Sequence, residues 1–257
     1  MSVNIGPYDQ YVFASLVLVG TYASAFLLLW LAQRSPYARQ IKTFHGIAQN
    51  FLTVINVLFA LNLAFLANDT WSAHDRALNT VFQEAGRLRT IMDLAESLPD
   101  ETRAEAVAAV KDYARLTVDT EWAMLGGRQS SADVSDQMDS LLTLLAGDAV
   151  SGALPSSLHS AILQQAVEVR SARDLRIALS QTHVNPLKWL GMAFLGFLTM
   201  VSIAMVHVDR PRAEFLAVLL FATAAAPSAA IILIHGNPFQ QPMAVSPAPI
   251  AALLGSP

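Results

Sequence analysis

Two asparagines are the residues of this 257-residue chain best placed to do chemistry in an apolar setting. Asn56 and Asn62 lie in a run, Ile47–Ala67, that holds no Asp, Glu, Lys or Arg. At 3.6 residues per turn, Ile55, Phe59, Asn62 and Leu66 share one face of a helix. Asn56, Ala60, Ala64 and Ala67 share another, about a third of a turn away. A bulky face with one amide suits the lining of a narrow pore, where Asn62 would offer donors to a partly dehydrated ion. It suits equally a surface packed on lipid or a neighbouring helix, with the amide bonded across the contact. The alanine stripe favours close helix–helix approach, with Asn56 as a hydrogen-bonding partner.

Other reactive groups form no recognisable constellation. There is no phosphate-binding glycine loop, no zinc-protease histidine pair and no nucleophile elbow. We therefore expect no enzyme, no catalytic residues and no cofactor. His74, His183 and His235 fall near span ends, but their spacing gives no ligand set, and no metal is expected. Arg76, Arg87 and Arg89 could form basic rings in an oligomer, or pair with Asp75 and Glu84 one turn away. The segment 69–188 is net acidic and has no basic stripe, which argues against nucleic-acid binding.

The elements that must position these residues follow from composition. The chain is 54% hydrophobic and 14% charged, against about 25% charged in an ordinary soluble domain. Residues 69–188 hold 28 of the 36 charges, leaving 8 for the rest of the chain. That division excludes a fully soluble or disordered protein, and the absence of cysteine excludes a disulfide-stapled domain. Four windows are long and apolar enough to span a bilayer: Tyr11–Ala32, Ile47–Ala67, Trp189–Val208 and Phe215–Gly236. Nothing basic precedes the first, so it reads as an anchor rather than a cleaved signal. Tyr11, Trp30, Trp71 and Trp189 sit near span ends, where amphipathic rings prefer the interface. None of the spans contains an Asp, Glu, Lys or Arg, which argues against a pump or a proton-driven carrier. Pro227 falls midway along the fourth and is either a gating kink or a tolerated one.

The segment between the second and third spans reads as helix throughout. Apolar residues at Leu78, Val81, Ala85, Leu88, Met92 and Ala95 step by three and four, a coiled-coil-like stripe. No Gly or Pro separates Ala67 from this stripe, so the second span should continue into it. Ser97 is expected to cap the next helix, with Asp100 closing a capping box. That helix should end at Gly126-Gly127, and a short third near Gly147. A fourth, about 30 residues long, should start at Pro155-Ser156-Ser157 and break at Asn185-Pro186. The fold expected is all-α: four transmembrane helices with a four-helix soluble bundle inserted between spans two and three. The domains are then 1-68, 69-188, 189-236 and a proline-rich tail, 237-257, which lacks charge and should pack on protein or at the interface.

The short loops carry Arg34, Arg39 and Lys42, then Arg210 and Arg212. The positive-inside rule places them in the cytoplasm of a cell (inner) membrane protein and the central domain outside. Arg76, Arg173, Arg176 and Lys188 on the domain side weigh the other way.

Several ordered stretches resemble the bestrophin-like domain family of bacterial membrane proteins. They are Phe65-Leu66-Ala67-Asn68-Asp69-Thr70-Trp71, Asp75-Arg76-Ala77, Glu84-Ala85, Leu98-Pro99, Glu121-Trp122, Asn237-Pro238-Phe239 and Val245-Ser246-Pro247. Gly236, Gln241 and Ala123 depart from the family's usual residues. The resemblance implies kinship with bestrophins, pentameric anion channels whose second transmembrane helix lines the pore through three neck residues one turn apart. Ile55, Phe59 and Leu63 have that spacing here. It also implies a cytosolic helical domain, opposite to the charge reading. The expected partners are the lipid bilayer, further copies of the chain in a homo-oligomer, and small anions. The alternative function is a sensory or scaffolding membrane protein whose bundle binds a ligand or partner.

Overall fold

In a computed structural model, the described residues are 9–36, 38, 40, 47–181, 186–241 and 243–255. Among them there are helices and turns and no strand. Arg39, Lys42, His45, His183 and Asn185 lie outside the described residues. Contacts divide the chain into two compact units: Met1–Trp71 with His183–Gly236, and Ser72–Thr182 with Asn237–Pro257.

The first unit contains α1 (Asp9–Arg34), the leading part of α2 (Ile47–Ala95), α8 (Pro186–His207) and α9 (Pro211–Ile234). All four are long and apolar enough to cross a membrane. Small residues let α1, α8 and α9 approach closely: Ala25, Met200, Ala204, Val218 and Ala222 form one buried cluster, and Ala14, Ala230 and Leu233 another. Pro227 does not break α9, which continues through it to Ile234. Near one end, Gln33 Nε2 donates to the Val208 carbonyl at 3.0 Å and to the buried carboxylate of Glu214.

The second unit contains the rest of α2, α3 (Asp100–Leu116), a π-helical turn (Thr117–Glu121), α4 (Trp122–Gly126), α5 (Ala132–Ala146), α6 (Asp148–Ser151) and α7 (Ser156–Ser180). A short α10 (Ala248–Ala251) and a 3₁₀ turn follow in the tail. The apolar stripe of α2 is buried as its spacing requires, Val81, Leu88 and Ala95 being fully enclosed and Ala85 and Met92 buried; Ile91, outside the stripe, is enclosed as well. Leu78 is the exception and stays exposed. Val134, Met138, Leu141 and Leu145 of α5 join the same core as Leu88 and Ile91.

Three local expectations change. The cap of α3 is Pro99, with no side-chain cap bond, rather than Ser97. Pro99 stands at the cap because its fixed φ of −54° suits entry to a helix and it has no N–H to satisfy. The helix expected to run unbroken to Gly126 contains a π turn at Thr117–Glu121. And α7 stops at Ser180, shorter than the sequence pattern suggests.

Candidate functional site: the second apolar helix

The helix α2 is continuous for 49 residues, as the lack of Gly and Pro near Ala67 requires. Its apolar segment is the least covered of the four candidate spans. Of its most apolar stretch 6% is buried, against 39% for α9. A helix this apolar and this bare still needs partners.

The structure brings together part of the bulky face singled out from the sequence. Phe59, Leu63 and Leu66 pack in one cluster with Met192 and Trp189 of α8 and with Ala229 and Ile232 of α9. The Phe59 ring lies 5.4 Å from that of Phe221, tilted by 56°. It also lies over Gly196, where a Cβ would come within 3.2 Å of the ring. Asn62 reaches toward α8, its Nδ2 standing 3.8 Å from the place a Cβ would take on Gly191. Ile55 is half-buried and stands outside this cluster. On the other face Asn56 is half-buried, Ala60 and Ala64 are exposed, and Ala67 is buried in the same cluster as Leu66.

A third face, not singled out from the sequence, is a ridge of large apolar side chains open to the surroundings. Val54 is 57% exposed, Leu58 and Leu61 each 49%, and Phe65 66%. Because α2 is apolar all round between Leu52 and Ala67, periodicity alone did not tell this ridge from the packed face. Just beyond it, Thr70 Oγ1 donates to the Leu66 carbonyl, and Lys188 Nζ sits 2.5 Å from Asp69 Oδ2 in an exposed pair.

In the second unit the charged residues sort differently from the one-turn pairings expected. Arg87 pairs with Glu168 on α7, and Arg76 donates its Nε to the Ser72 carbonyl at 3.2 Å. Among the described residues Arg76 makes no ion pair. Glu84 turns inward instead. Its carboxylate accepts from Tyr113 Oη at 2.6 Å and from Arg176 Nε at 2.8 Å and Nη2 at 3.1 Å. Arg176 Nη2 also reaches Glu121 Oε2 at 3.0 Å. Arg173 grips Glu121 through Nε at 3.2 Å and Nη2 at 2.6 Å, and the Ser131 N–H donates to the same carboxylate at 3.1 Å. All of these side chains are buried, and the Arg176 guanidinium lies 5.1 Å over the Trp122 ring.

The network balances two carboxylates against two guanidiniums. Burial alone would raise the Glu121 carboxyl, but the hydrogen bond from Arg173 and the charges of Arg176 and Arg173 hold it below its ordinary value. Burial pushes the Tyr113 phenol well above its usual range, and the Glu84 carboxylate beside it adds to that. Burial pulls the Arg176 guanidinium down, yet Glu84 and its neighbours more than offset this, so it stays charged. The π turn that carries Thr117 to Glu121 is a one-turn bulge in the helix, a form often found where a side chain must be aimed.

The tail is built into this unit. Phe239 meets Trp122 edge-on at 5.6 Å between centroids, and Trp122 Nε1 donates to the Val245 carbonyl at 2.9 Å. The Asn237 amide donates to the carbonyls of Leu125 and Gly126, each at 3.3 Å, while its Oδ1 accepts from the Phe239 N–H at 2.9 Å. Among the described residues no group of His, Asp and Glu could hold a metal ion.

The fold is shared with known membrane proteins. A bacterial bestrophin homologue from Klebsiella pneumoniae, in a variant with one leucine-to-threonine mutation, superposes with a TM-score of 0.70 at 11% identity, covering 94% of this chain and 96% of that one. Another structure of the bestrophin homologue from that organism, obtained by Zn-SAD phasing, gives 0.66 at 13% identity over 93% and 94%. At these identities the likeness is one of fold. No curated protein matches the chain in sequence. The family described as "Bestrophin-like domain" matches residues 19–250, nearly the whole length, and the chain belongs to that family.

Proposed function

We propose that the chain forms a homo-oligomeric membrane channel for small anions, with α2 arranged around the pore. The observation that carries this is the bareness of α2: its apolar ridge of Val54, Leu58, Leu61 and Phe65 stays about half or more exposed. In a ring of subunits that ridge forms the constriction, and dewetting between such side chains is a known way to gate. Phe59, Leu63 and Leu66 hold α2 against α8 and α9, and Ile55 and Asn62 border the wall. Asn56, Ala60 and Ala64 sit on the flank where neighbouring copies of α2 approach closely. Arg76, left without an ion pair, supplies positive charge in each subunit and favours anions.

The wider arrangement belongs to the same proposal. Residues 69-188 form a soluble helical bundle between spans two and three, with the tail 237-257 docked on it and 1-68 and 189-236 in the membrane. The short loops with Arg34, Arg210 and Arg212 face the cytoplasm, and the bundle lies outside. Support comes from the charges on the opposing side. Arg173 and Arg176 are buried in the ion network and Lys188 is paired with Asp69, so they offer little free charge to a membrane surface.

Purified protein in planar bilayers is expected to conduct, with a reversal potential that follows the chloride gradient. Arg76→Glu should shift it toward cations, and particle images should show a ring with α2 on the axis. A monomer in detergent that is silent under every ion gradient would overturn the proposal.

A further inference from the structure

On the described helices of the second unit, four large apolar side chains stay exposed: Leu78 and Phe82 on α2, Val167 and Leu175 on α7. Phe82 is 58% exposed and Leu175 47%. They form two separate patches. The ion pairs Glu84–Arg176 and Arg87–Glu168 fix where α7 lies against α2 and make the two helices antiparallel. Phe82 stands two residues from Glu84, about 200° around α2, and so points away from α7. Leu78 lies one turn earlier on the same side. Val167 stands nine residues from Arg176, about 180° around α7, and faces away from α2. Leu175 borders the same open face, which continues through Ser171, Asp174 and Ala178, all exposed.

Scattered apolar residues on a surface need no partner, but these two patches carry complementary charges. Arg89 lies two turns beyond Phe82 on the same line of α2, with Gly86 between them. A Cβ on Gly86 would meet nothing within 4 Å, so the line is open along its length. The α7 face carries Asp174. Among the described residues neither Arg89 nor Asp174 makes an ion pair. Arg170, at the edge of that face, is already held by Asp139. Asp75, at the near end of the α2 line, falls beyond the last turn of α7 and has no counterpart there. The levels also agree. Phe82 and Leu175 lie two residues and one residue from the Glu84–Arg176 pair, within about one helical turn of each other along the axis. Arg89 and Asp174 are offset by a similar amount, which a long side chain spans. In a ring with α2 on the axis, rotation carries each residue to its own level on the next copy. We propose that the α2 line of Leu78, Phe82 and Arg89 docks on the α7 face of Val167, Asp174 and Leu175 of a second copy. This rests on the ring arrangement proposed above and supplies its contact surface outside the membrane. The two patches differ and face apart, so the contact is heterologous, and it closes into a ring rather than ending at a dimer.

The chain has no cysteine, so introduced cysteines report the contact without background. Phe82→Cys and Leu175→Cys, placed in one full-length chain and oxidised in native membranes, should give a ladder of disulfide-linked species above the dimer. Co-expressed as two single variants, they should stop at a dimer of unlike chains. Each single variant alone should stay monomeric on the same non-reducing gel. A strong dimer in one single variant, or no species above monomer in the paired one, would overturn the proposal. Charge exchange is a second measurement that leaves the apolar residues in place. Arg89→Asp and Asp174→Arg should each weaken association in detergent roughly 2- to 5-fold, the range of one exposed ion pair. Together they should restore it, and a double exchange that does not would also overturn the proposal. Native mass spectrometry of the unaltered chain separates this inference from the channel reading. An oligomer without the disulfide ladder removes the docking surface alone, whereas a monomer removes both.

Discussion

The ion network of Glu84, Glu121, Arg173 and Arg176 ties α2, the π turn and α7 together at single-residue resolution. Each charge is buried, and each is matched by at least one bidentate or near-bidentate partner. Removing one member leaves its partner charged in a place that water does not reach. Glu121→Gln should cost about 3–5 kcal/mol, the usual penalty for breaking a buried pair, seen as a lower denaturation midpoint of the detergent-solubilised protein. Replacing the whole set with apolar residues of similar volume should cost far less, because the desolvation penalty disappears along with the attraction. The pH dependence follows from the same carboxylate. Glu121 is held below its ordinary value in the folded chain, so its stabilisation is complete above the unfolded value of about 4.3. It is lost as the pH falls through the lower, folded value. For Tyr113 the sign is reversed: stability is full below about pH 10 and declines as the pH rises toward the raised phenol value. Chemical denaturation across pH should therefore show a plateau that falls off at both ends, and the Glu121→Gln variant should lose its share of the acid limb.

At the scale of elements, α2 shows what packing adds to a pattern. Phe59→Ala empties the space over Gly196 and beside Phe221, and should cost about 2 kcal/mol, below the range for a fully enclosed phenylalanine because Phe59 is only half-buried. Leu58→Ser and Phe65→Ser fall on side chains that stay about half or more exposed, so they should cost less stability than Phe59→Ala and raise single-channel conductance. Measured together, unfolding midpoint and conductance separate the two faces. The α2 helix itself was legible, because no Gly or Pro interrupts it and its later stripe alternates by threes and fours. The orientation of its apolar segment was not, since a helix apolar on every side carries no phase in its sequence. The π turn was equally invisible: it answers to Arg173 and Arg176 on α7, more than 50 residues away in the chain. The missing charge of the tail points to packing on protein or at the interface without saying where, and its anchor on Trp122 is specific. Phe239→Ala removes the edge-on contact with Trp122 and should cost about 3–5 kcal/mol. The Cβ in Gly126→Ala would meet the Phe239 carbonyl oxygen at 3.2 Å, so that substitution should loosen the tail through the same contact.

For the whole molecule, the uneven distribution of charge acts on insertion rather than on folding. The membrane segments carry their charges at their borders, so orientation depends on a few arginines in short loops. Counting the domain side by sequence alone sets Arg76, Arg173, Arg176 and Lys188 against them. Folding removes two of these into a buried network and pairs a third, leaving Arg76. The absence of cysteine makes the question easy to decide. In intact cells, a membrane-impermeant maleimide should label Ser130→Cys, on the exposed turn before α5, and should not label Pro36→Cys beyond α1. Permeabilised cells should label both. Labelling of Pro36→Cys alone in intact cells would reverse the orientation and place the bundle in the cytosol, as the bestrophin resemblance implies. Changing Arg210 and Arg212 to glutamine weakens the loop's hold, and should yield a mixed population in which the labelled fraction of Ser130→Cys falls.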